Sequence, residues 1–313
     1  MFNQILCGNH LDILPCFPDD TFDMFLTSPP YDNLRTYEGY DFQFEPLARE
    51  LYRILKPGGV GVWIVNDATI DGSETLTSAK QKIFFREVCG FNIHDTMIYN
   101  RFSPFPQEKR YWQSFEFMFI LAKGKPLTFN PLKERRNFES QKRLKGSRSK
   151  AISFRQKDGK LIQCNEKAMY RLTHQDSTTR IKSNIWYCPA GFCSMTLDKF
   201  AHGHPALFPE KLAEDHILSW SNPGDVILDP MCGSGTTCKM AAKHGRQYVG
   251  IDIAEKYCEI ARKRVALIEA QPILFNGNVG EQTNEADLKE MQGETGGLLH
   301  TVKSANQVDC WNL

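Results

Sequence analysis

A glycine-rich turn stands at residues 228–237, which read Leu228-Asp229-Pro230-Met231-Cys232-Gly233-Ser234-Gly235-Thr236-Thr237. The apolar run at 226–228 predicts a buried strand, and residues 236–244 predict a helix. A second strand is expected at 248–252, and it ends in the acid Asp252. Strand, turn, helix and strand together predict a βαβ unit that binds a nucleoside, because glycines let the backbone approach a ligand and the acid can accept ribose hydroxyls.

Two rival ligands fit this turn less well. A dinucleotide site asks for a third glycine at position 238, where the chain has Cys238. A P-loop for phosphate ends in Gly-Lys-Ser or Gly-Lys-Thr, and Gly235-Thr236-Thr237 lacks the lysine. The turn therefore favours a nucleoside cofactor over both.

A rigid, aromatic motif lies far earlier in the chain, where Thr27-Ser28-Pro29-Pro30-Tyr31 follows the apolar run at 22–27. Two consecutive prolines cannot continue a strand ladder, so the strand should end here and present Ser28 at the edge of the sheet. The Ser28 hydroxyl and the Pro29 carbonyl can accept hydrogen bonds from an amino group, and Tyr31 offers a ring on which a flat base can stack. Weaker candidates for the other wall of such a pocket are Tyr37 and Phe44.

The remaining elements alternate between strands and helices. Further strands are expected at residues 60–65, 95–99, 115–121 and 185–187, and helices at 44–55, 80–89, 209–220 and 254–268. A turn is expected at Lys56-Pro57-Gly58-Gly59, because proline stops a helix and glycine tolerates positive φ. The alternation predicts an α/β fold with a parallel, doubly wound sheet.

A basic segment interrupts this alternation from about residue 131 to residue 185. Between Lys133 and Lys182, 15 Lys and Arg stand against 5 Asp and Glu, whereas the whole chain has a net charge of only +1. Such a local excess is typical of a surface that binds phosphates, and a solvated loop is the alternative. The candidates for contacts with nucleic acid are Arg135, Arg136, Lys142, Arg143, Lys145 and Arg148.

Composition bounds the class of protein. With 313 residues, of which 41% are hydrophobic and 24% charged, the chain can bury one large α/β core that carries an insertion. It shows neither a membrane-length apolar run nor a signal-peptide pattern, so a cytoplasmic protein is expected. The ten cysteines are scattered, as expected for buried apolar residues in a reducing compartment. No metal is expected either. The nearest candidates for a zinc site are Cys188, Cys193, His202 and His204, and their spacing is not a usual zinc pattern.

Together, the two motifs resemble those of bacterial DNA amino-methyltransferases in the permuted arrangement called β. In that arrangement the catalytic motif comes first, the recognition region second and the cofactor motif last. The likeness covers roughly residues 5–270. It includes His204-Pro205-Ala206-Leu207-Phe208-Pro209, which is similar to the segment beside the cofactor's methionine portion, and Gly8 through Leu14, where Asn9 replaces the usual aspartate.

The resemblance implies a doubly wound, Rossmann-like methyltransferase sheet with an inserted basic target-recognition region. The implied parts are a catalytic half at 1–130, the recognition insertion at 131–185, a cofactor-binding half at 186–270 and a polar tail at 271–313. The implied cofactor is S-adenosyl-L-methionine. The implied cofactor-binding residues are Asn9, His204, Pro205, Leu207, Phe208, Asp229, Pro230, Met231, Cys232, Gly233, Ser234, Gly235, Thr236, Thr237 and Asp252.

The implied reaction is methylation of a base flipped out of double-stranded DNA, in a restriction-modification or epigenetic setting. The implied partners are DNA and a cognate restriction endonuclease, and the protein is expected as a monomer or homodimer. Ser28-Pro29-Pro30-Tyr31 resembles enzymes that act on cytosine N4, whereas adenine N6 enzymes more often have Asp or Asn in place of Ser28. Adenine N6 remains the alternative, followed by methylation of RNA and by DNA binding without catalysis.

Overall fold

Side chains that alternate across buried strands build a central sheet with an apolar core on each face. The structure is a computed structural model, and it describes residues 2–30, 42–101, 110–111, 113–135, 153–155, 161–163, 179–188, 195–204 and 207–270. Tyr31, Tyr37, Arg136, Lys142, Arg143, Lys145, Arg148, Pro205 and the tail at 271–313 lie outside these ranges, so their expected roles stay predictions.

The predicted strands and helices are present in the expected order, and the structure adds others that the sequence analysis did not predict. The strands are β1 (Gln4–Cys7), β2 (Phe22–Thr27), β3 (Leu55–Val65), β4 (Thr69–Ile70), β5 (Ser73–Glu74), β6 (Asn92–Asn100), β7 (Phe115–Ala122), β8 (Lys133–Arg135), β9 (Ser153–Arg155), β10 (Leu161–Gln163), β11 (Thr179–Ile181), β12 (Ile185–Tyr187), β13 (Val226–Asp229) and β14 (Gln247–Asp252). The helices are α1 (His10–Ile13), α2 (Phe44–Ile54), α3 (Thr77–Phe84), α4 (Glu210–Trp220), α5 (Thr236–Lys243) and α6 (Glu255–Glu269).

Eight of the described strands form one sheet in the order β1-β14-β13-β2-β3-β7-β6-β12. Neighbouring strands pair in parallel except at β7, which is antiparallel to both β3 and β6. The doubly wound α/β class is therefore confirmed, and the expected parallel sheet contains one antiparallel strand, β7, that was not predicted. Antiparallel neighbours need no crossover helix between them, so β7 can follow β6 directly.

Helices cover both faces of this sheet. On β3, Val62 and Ile64 point into a core formed with α4, α5 and α6, while Trp63 and Val65 point into a second core formed with α2. This alternation follows from the twofold periodicity of a strand. Both sets are almost completely buried, which explains why residues 60–65 are apolar without interruption.

The predicted turn at residues 56–59 lies within β3, as an irregularity in the pairing of β3 with β2. Helix α2 ends at Ile54, and the pairing with β2 passes from Phe22 with Leu55 to Met24 with Val60. The intervening residues are looped out of the register. Gly58 has a φ of +81°, and a Cβ there would lie 2.3 Å from the Leu127 side chain, so this position requires glycine.

The basic segment begins and ends in one two-stranded ribbon, because β8 pairs with β11 in antiparallel fashion. Within the segment, β9 and β10 form a second antiparallel pair. Among the described residues, no helix is both long and apolar enough to cross a membrane.

Candidate active site

The glycine-rich turn that follows β13, residues 229–237, is called the cofactor turn below. It leaves the sheet at Asp229, the last residue of β13. Its buried carboxylate accepts a hydrogen bond from the Met231 amide at 3.2 Å. Burial raises the pKa of Asp229 to about 6, and a hydrogen bond from the Thr237 side chain opposes this rise. The carboxylate thus shapes the turn from within, at the carboxyl end of the sheet where ligands of such folds bind.

Asp252 fastens the same turn to the end of β14. One carboxylate oxygen accepts from the Gly233 amide and the other from the Ala254 amide, each at 2.9 Å, and the Cys232 amide donates to the Ile251 carbonyl at 2.8 Å. Burial raises the pKa of Asp252, while these backbone donors oppose the shift. Asp252 therefore stands beside the turn, as the sequence predicted, with its orientation fixed by two amides.

The two glycines of the turn are required for different reasons. Gly233 has a φ of +50°, and a Cβ on it would lie 2.7 Å from Nε2 of His204. Gly235 has a φ of +76°, and its Cβ would lie 2.5 Å from the Cβ of Ala261 on α6. The structure thus brings His204 against the turn and packs α6 directly beneath it.

His204 is half-buried and ends the short 3₁₀ turn Lys199–Gly203. Its ring makes an edge contact with Tyr257 of α6, with the ring centroids 4.4 Å apart. Of the residues that follow, Leu207 is half-buried and Phe208 packs against the apolar core beneath α4. The Phe208 side chain therefore supports the segment from below.

A buried ion-pair network underlies the turn, and the sequence patterns did not reveal it. Arg264 of α6 is fully buried and donates to Asp198 at 2.8 Å and to Glu210 at 2.6 Å. Lys239 of α5 donates to the same two carboxylates at 2.6 and 2.8 Å. Burial alone would raise the pKa of Asp198 and of Glu210, but these cations hold both below their usual values.

The same arginine holds the turn itself. It donates to the Ser234 carbonyl at 2.9 Å, to the Ser234 hydroxyl at 3.1 Å and to the Thr236 hydroxyl at 2.9 Å. Both hydroxyls face the protein, as does the side chain of Cys232, which is buried in the core. Met231 is partly buried against the opposite core. Arg264 engages the hydroxyls of Ser234 and Thr236 from the protein side, and the expected roles of these residues in cofactor binding stay predictions.

The catalytic motif adjoins the cofactor turn through the sheet. Strand β2 pairs with β13, with Phe25 opposite Leu228, and the Thr237 hydroxyl oxygen of α5 lies 3.3 Å from the Leu26 carbonyl oxygen. After the buried Thr27, Ser28 is exposed and Pro29 is buried. The two motifs, far apart in sequence, therefore emerge at the same edge of the sheet, with the Ser28 side chain open to a substrate.

Two further candidates have other surroundings. Phe44 packs against Trp63, Phe84 and Phe85, with centroid distances of 5.2 to 5.7 Å, so it belongs to the core beneath α2 and does not form the wall of a base pocket. Asn9 follows β1 and caps α1, since its side-chain oxygen accepts from the Leu11 amide at 3.0 Å. Its contact with a cofactor stays a prediction.

The ends of the basic segment are charged and partly exposed. Arg135 on β8 is exposed and lies opposite Thr179 in the ribbon. Nearby, Arg180 pairs with Glu134 at 2.7 Å, and Lys182 pairs with Asp215 of α4 at 2.9 Å. The ribbon is thus anchored on α4 through Lys182, while Arg135 remains accessible.

Known proteins with this arrangement define its class. A family model described as DNA methylase matches residues 22–263, and the chain belongs to that family of N6 and N4 amino-methyltransferases. The orphan methyltransferase M.BamHII of Bacillus amyloliquefaciens is 50% identical over 250 residues, which cover 79% of this chain and 89% of that protein. The DNA adenine methyltransferase YhdJ of Escherichia coli K12 is 28% identical over 278 residues, which cover 83% of this chain and 82% of YhdJ.

Solved structures confirm the Rossmann-like methyltransferase fold. PvuII DNA methyltransferase, described as cytosine-N4-specific, superposes with a TM-score of 0.59 at 17% identity, covering 93% of this chain and 95% of that one. A DNA modification methylase of Thermus thermophilus, complexed with S-adenosyl-L-methionine, superposes with a TM-score of 0.54 at 22% identity, covering 85% and 93%. The protein is an S-adenosylmethionine-dependent DNA amino-methyltransferase.

The described residues fit this cofactor. Gly233 and Gly235 give the turn its positive-φ backbone and let His204 and α6 pack against it, at the strand end where a nucleoside cofactor binds in such folds. Asp252 stands at the end of the adjacent strand, where an acid can accept ribose hydroxyls, and His204 closes one side of the turn. These residues would hold S-adenosylmethionine, which supplies an electrophilic methyl group when bound.

Proposed function

We propose that this protein methylates the exocyclic N4 amino group of cytosine, in a base flipped out of double-stranded DNA. The observation that carries the proposal is Ser28, which follows β2 and is exposed beside the cofactor turn. The Ser-Pro-Pro-Tyr form resembles that of cytosine N4 enzymes. PvuII methyltransferase, which shares the fold, is described as cytosine-N4-specific.

The chemistry explains why a serine and a constrained backbone suit this step. The lone pair of the amino nitrogen is delocalised into the cytosine ring, so the amine is a weak nucleophile and must be held in line with the methyl donor. The Ser28 hydroxyl and the Pro29 carbonyl would accept the amino hydrogens and favour tetrahedral nitrogen as the bond forms. The prolines limit the motion of these acceptors, and Tyr31 would stack on the base.

Adenine N6 is the second candidate, because YhdJ is a DNA adenine methyltransferase and aligns with most of this chain. Nucleoside mass spectrometry separates the two. The purified protein is incubated with S-adenosylmethionine and DNA from a strain that lacks this modification, and the digested DNA is analysed. We expect N4-methylcytosine, and N6-methyladenine alone would refute the cytosine assignment.

Substrate class is tested in the same assay with isotopically labelled cofactor. We expect label to enter DNA and not bacterial RNA, and the opposite result would assign an RNA methyltransferase. The basic segment at 131–185 would supply the DNA-reading surface, with Arg135 exposed at its base. Readout by the segment's other basic residues is part of this proposal.

The role of Ser28 is tested by Ser28→Ala. We expect turnover to fall by about 100-fold or more, as for loss of one hydrogen-bonding group that acts in a transition state. Affinity for S-adenosylmethionine, measured by calorimetry, should stay near normal because the cofactor turn is untouched. Unchanged turnover would remove Ser28 from the proposed role, and loss of cofactor binding would indicate a structural defect instead.

The proposed setting is a bacterial restriction-modification or epigenetic system, with the protein in the cytoplasm near the nucleoid. M.BamHII is named an orphan methyltransferase, which favours action without a cognate endonuclease. Deletion of the gene tests this: viable cells that lack the methylation would support action without a cognate endonuclease, and inviable cells would contradict it.

A further inference from the structure

Two thiols and a carboxylate converge beside the cofactor site, at the end of β1 and the start of α6. The Sγ atoms of Cys7 and Cys258 and a carboxylate oxygen of Glu255 all lie within 4.8 Å of one another. Cys7 and Glu255 are exposed and Cys258 is buried, so the group is open to solvent on one side. From this convergence, we propose that Cys7, Glu255 and Cys258 bind a thiophilic divalent cation such as Zn²⁺.

The donor set has the composition of a zinc site. Zn²⁺ takes thiolate sulfur at about 2.3 Å and carboxylate oxygen at about 2.0–2.2 Å in tetrahedral geometry, so two thiolates around it stand about 3.8 Å apart. The three side chains need to contract by no more than about 1 Å to reach such spacing. Water fills the fourth position from the exposed side, and each thiol releases its proton to solvent as it binds.

Charge balance also favours the cation. Arg262 of α6 pairs with Glu255 and donates to the Ile5 carbonyl at 3.1 Å through its second terminal nitrogen. A divalent cation with two thiolates and one carboxylate carries a net charge of −1, and Arg262 compensates it. Glu255 can keep Arg262 on one oxygen while the other binds the metal, which is the usual arrangement of an outer partner.

The location gives the cation a structural consequence. Strand β1 is the last strand of the described sheet and pairs with β14 alone. In that pairing Cys7 lies opposite Asp252, and the Cys258 Sγ lies 3.5 Å from the Asp252 carbonyl oxygen. A bound cation would therefore link Cys7 of the edge strand β1 to Cys258 of α6, and both of these residues are neighbours of Asp252.

The test titrates the reduced, metal-free full chain with Co²⁺ and then Zn²⁺, in the presence of a phosphine reductant. We expect one equivalent of Co²⁺ to give the visible absorption of tetrahedral thiolate coordination, and Zn²⁺ to displace it. Zn²⁺ should also raise the Tm by several degrees, since it binds the folded state.

Three variants decide the assignment. Cys7→Ser and Glu255→Gln change exposed side chains, so both should fold, and each should weaken Co²⁺ binding at least tenfold and abolish the rise in Tm. Cys16→Ser, which alters an exposed cysteine outside the group, should behave like the wild type. Absence of the cobalt spectrum, or equal binding by the Cys7→Ser variant, would overturn the proposal. Because the readouts need neither DNA nor S-adenosylmethionine, they are independent of the methyl-transfer proposal.

Discussion

Gly233 shows how a single residue joins two parts of the active site. Its φ of +50° lies in the left-handed region, and the space where a Cβ would stand is occupied by the His204 ring. Both the conformation and the contact exclude a side chain. The cofactor turn and the segment ending at His204 can therefore close against each other only across a glycine.

Substitution of Gly233 tests this contact. In Gly233→Ala the new methyl group would displace the His204 ring and distort the turn, so we expect KM for S-adenosylmethionine to rise by about tenfold or more, equivalent to about 1.4 kcal/mol. Steady-state kinetics with varied cofactor measures the change. Gly245→Ala is the matched control, because Gly245 has a φ of +71° but no atom within 4 Å of its Cβ position. An unchanged KM in Gly233→Ala would show that the contact has no role in cofactor binding.

At this scale the sequence predicts backbone geometry better than side-chain direction. The turn and its acid were found because strand, glycines, helix and Asp252 follow one another within a short stretch. The direction of the Ser234 and Thr236 hydroxyls was not predicted, because it depends on Arg264, which belongs to a different helix. Local spacing contains no information about such a partner.

Among the elements, α6 supports the cofactor turn through a buried residue that its amphipathic pattern does not predict. An arginine in a long helix usually faces solvent, yet Arg264 is fully buried, and its partners lie 28 to 68 residues away in the chain. It links α6 to the cofactor turn, to α4 through Glu210 and to the segment that leads to His204 through Asp198. The apolar periodicity of the sequence predicts where the helix lies, but it does not predict this ion-pair network.

We expect Arg264→Met to destabilise the protein by about 3 kcal/mol, because it leaves two partly buried carboxylates without one of their cations. In protein that remains folded at low temperature, KM for S-adenosylmethionine should rise more than kcat falls, since the turn loses its support while Ser28 is unaffected. Denaturant unfolding and cofactor-dependent kinetics measure the two effects.

Two comparisons separate this positioning role from general stability. Arg264→Lys keeps the charge and should recover part of the cofactor affinity. Lys243→Met removes a half-exposed ion pair with Glu214 on neighbouring α4, and it should cost less than about 1 kcal/mol and leave KM unchanged. If Arg264→Met altered stability and left KM as in the wild type, the network would be structural only.

For the whole molecule, the buried His216 gives stability a dependence on pH. His216 is completely buried on α4, where its Nε2 lies 3.1 Å from the Met118 sulfur and its ring 4.5 Å from that of Trp186. Burial lowers the pKa of His216 to about 3, with a smaller contribution from the nearby Lys182 charge. The folded protein therefore keeps this imidazole neutral over most of the acidic range.

The unfolded chain has no such restriction, since its histidines titrate near pH 6.5. As pH falls below 6.5 the unfolded state gains a proton that the folded state does not, so stability decreases until pH approaches 3. Between pH 7 and pH 5 we expect His216 to account for a loss of about 2 kcal/mol. Urea unfolding at several pH values measures it.

His216→Phe, which keeps a ring against Trp186, should show a shallower decline over this range. His94→Phe, which changes an exposed histidine, should decline as steeply as the wild type. Equal slopes in all three proteins would assign the acid sensitivity to other groups.

The order of the strands was only partly predictable. Alternating strands and helices indicate a doubly wound sheet, and they gave seven of the eight strands of the central sheet within a few residues, whereas the edge strand β1 was not predicted. The reversal of β7 was not predicted because residues 117–122 of this strand are apolar on both faces, a pattern that suits either direction in a covered sheet.

The β8–β11 ribbon bears on how such a protein can acquire new specificity. Because Arg135 and Thr179 are paired neighbours, the chain leaves and re-enters the catalytic body at adjacent points. Whatever lies between them can lengthen, shorten or be exchanged with little demand on the sheet, since the closure is made by the ribbon itself. On the proposal that this segment reads the target sequence, the methyl-transferring body and the target-reading part can evolve at different rates.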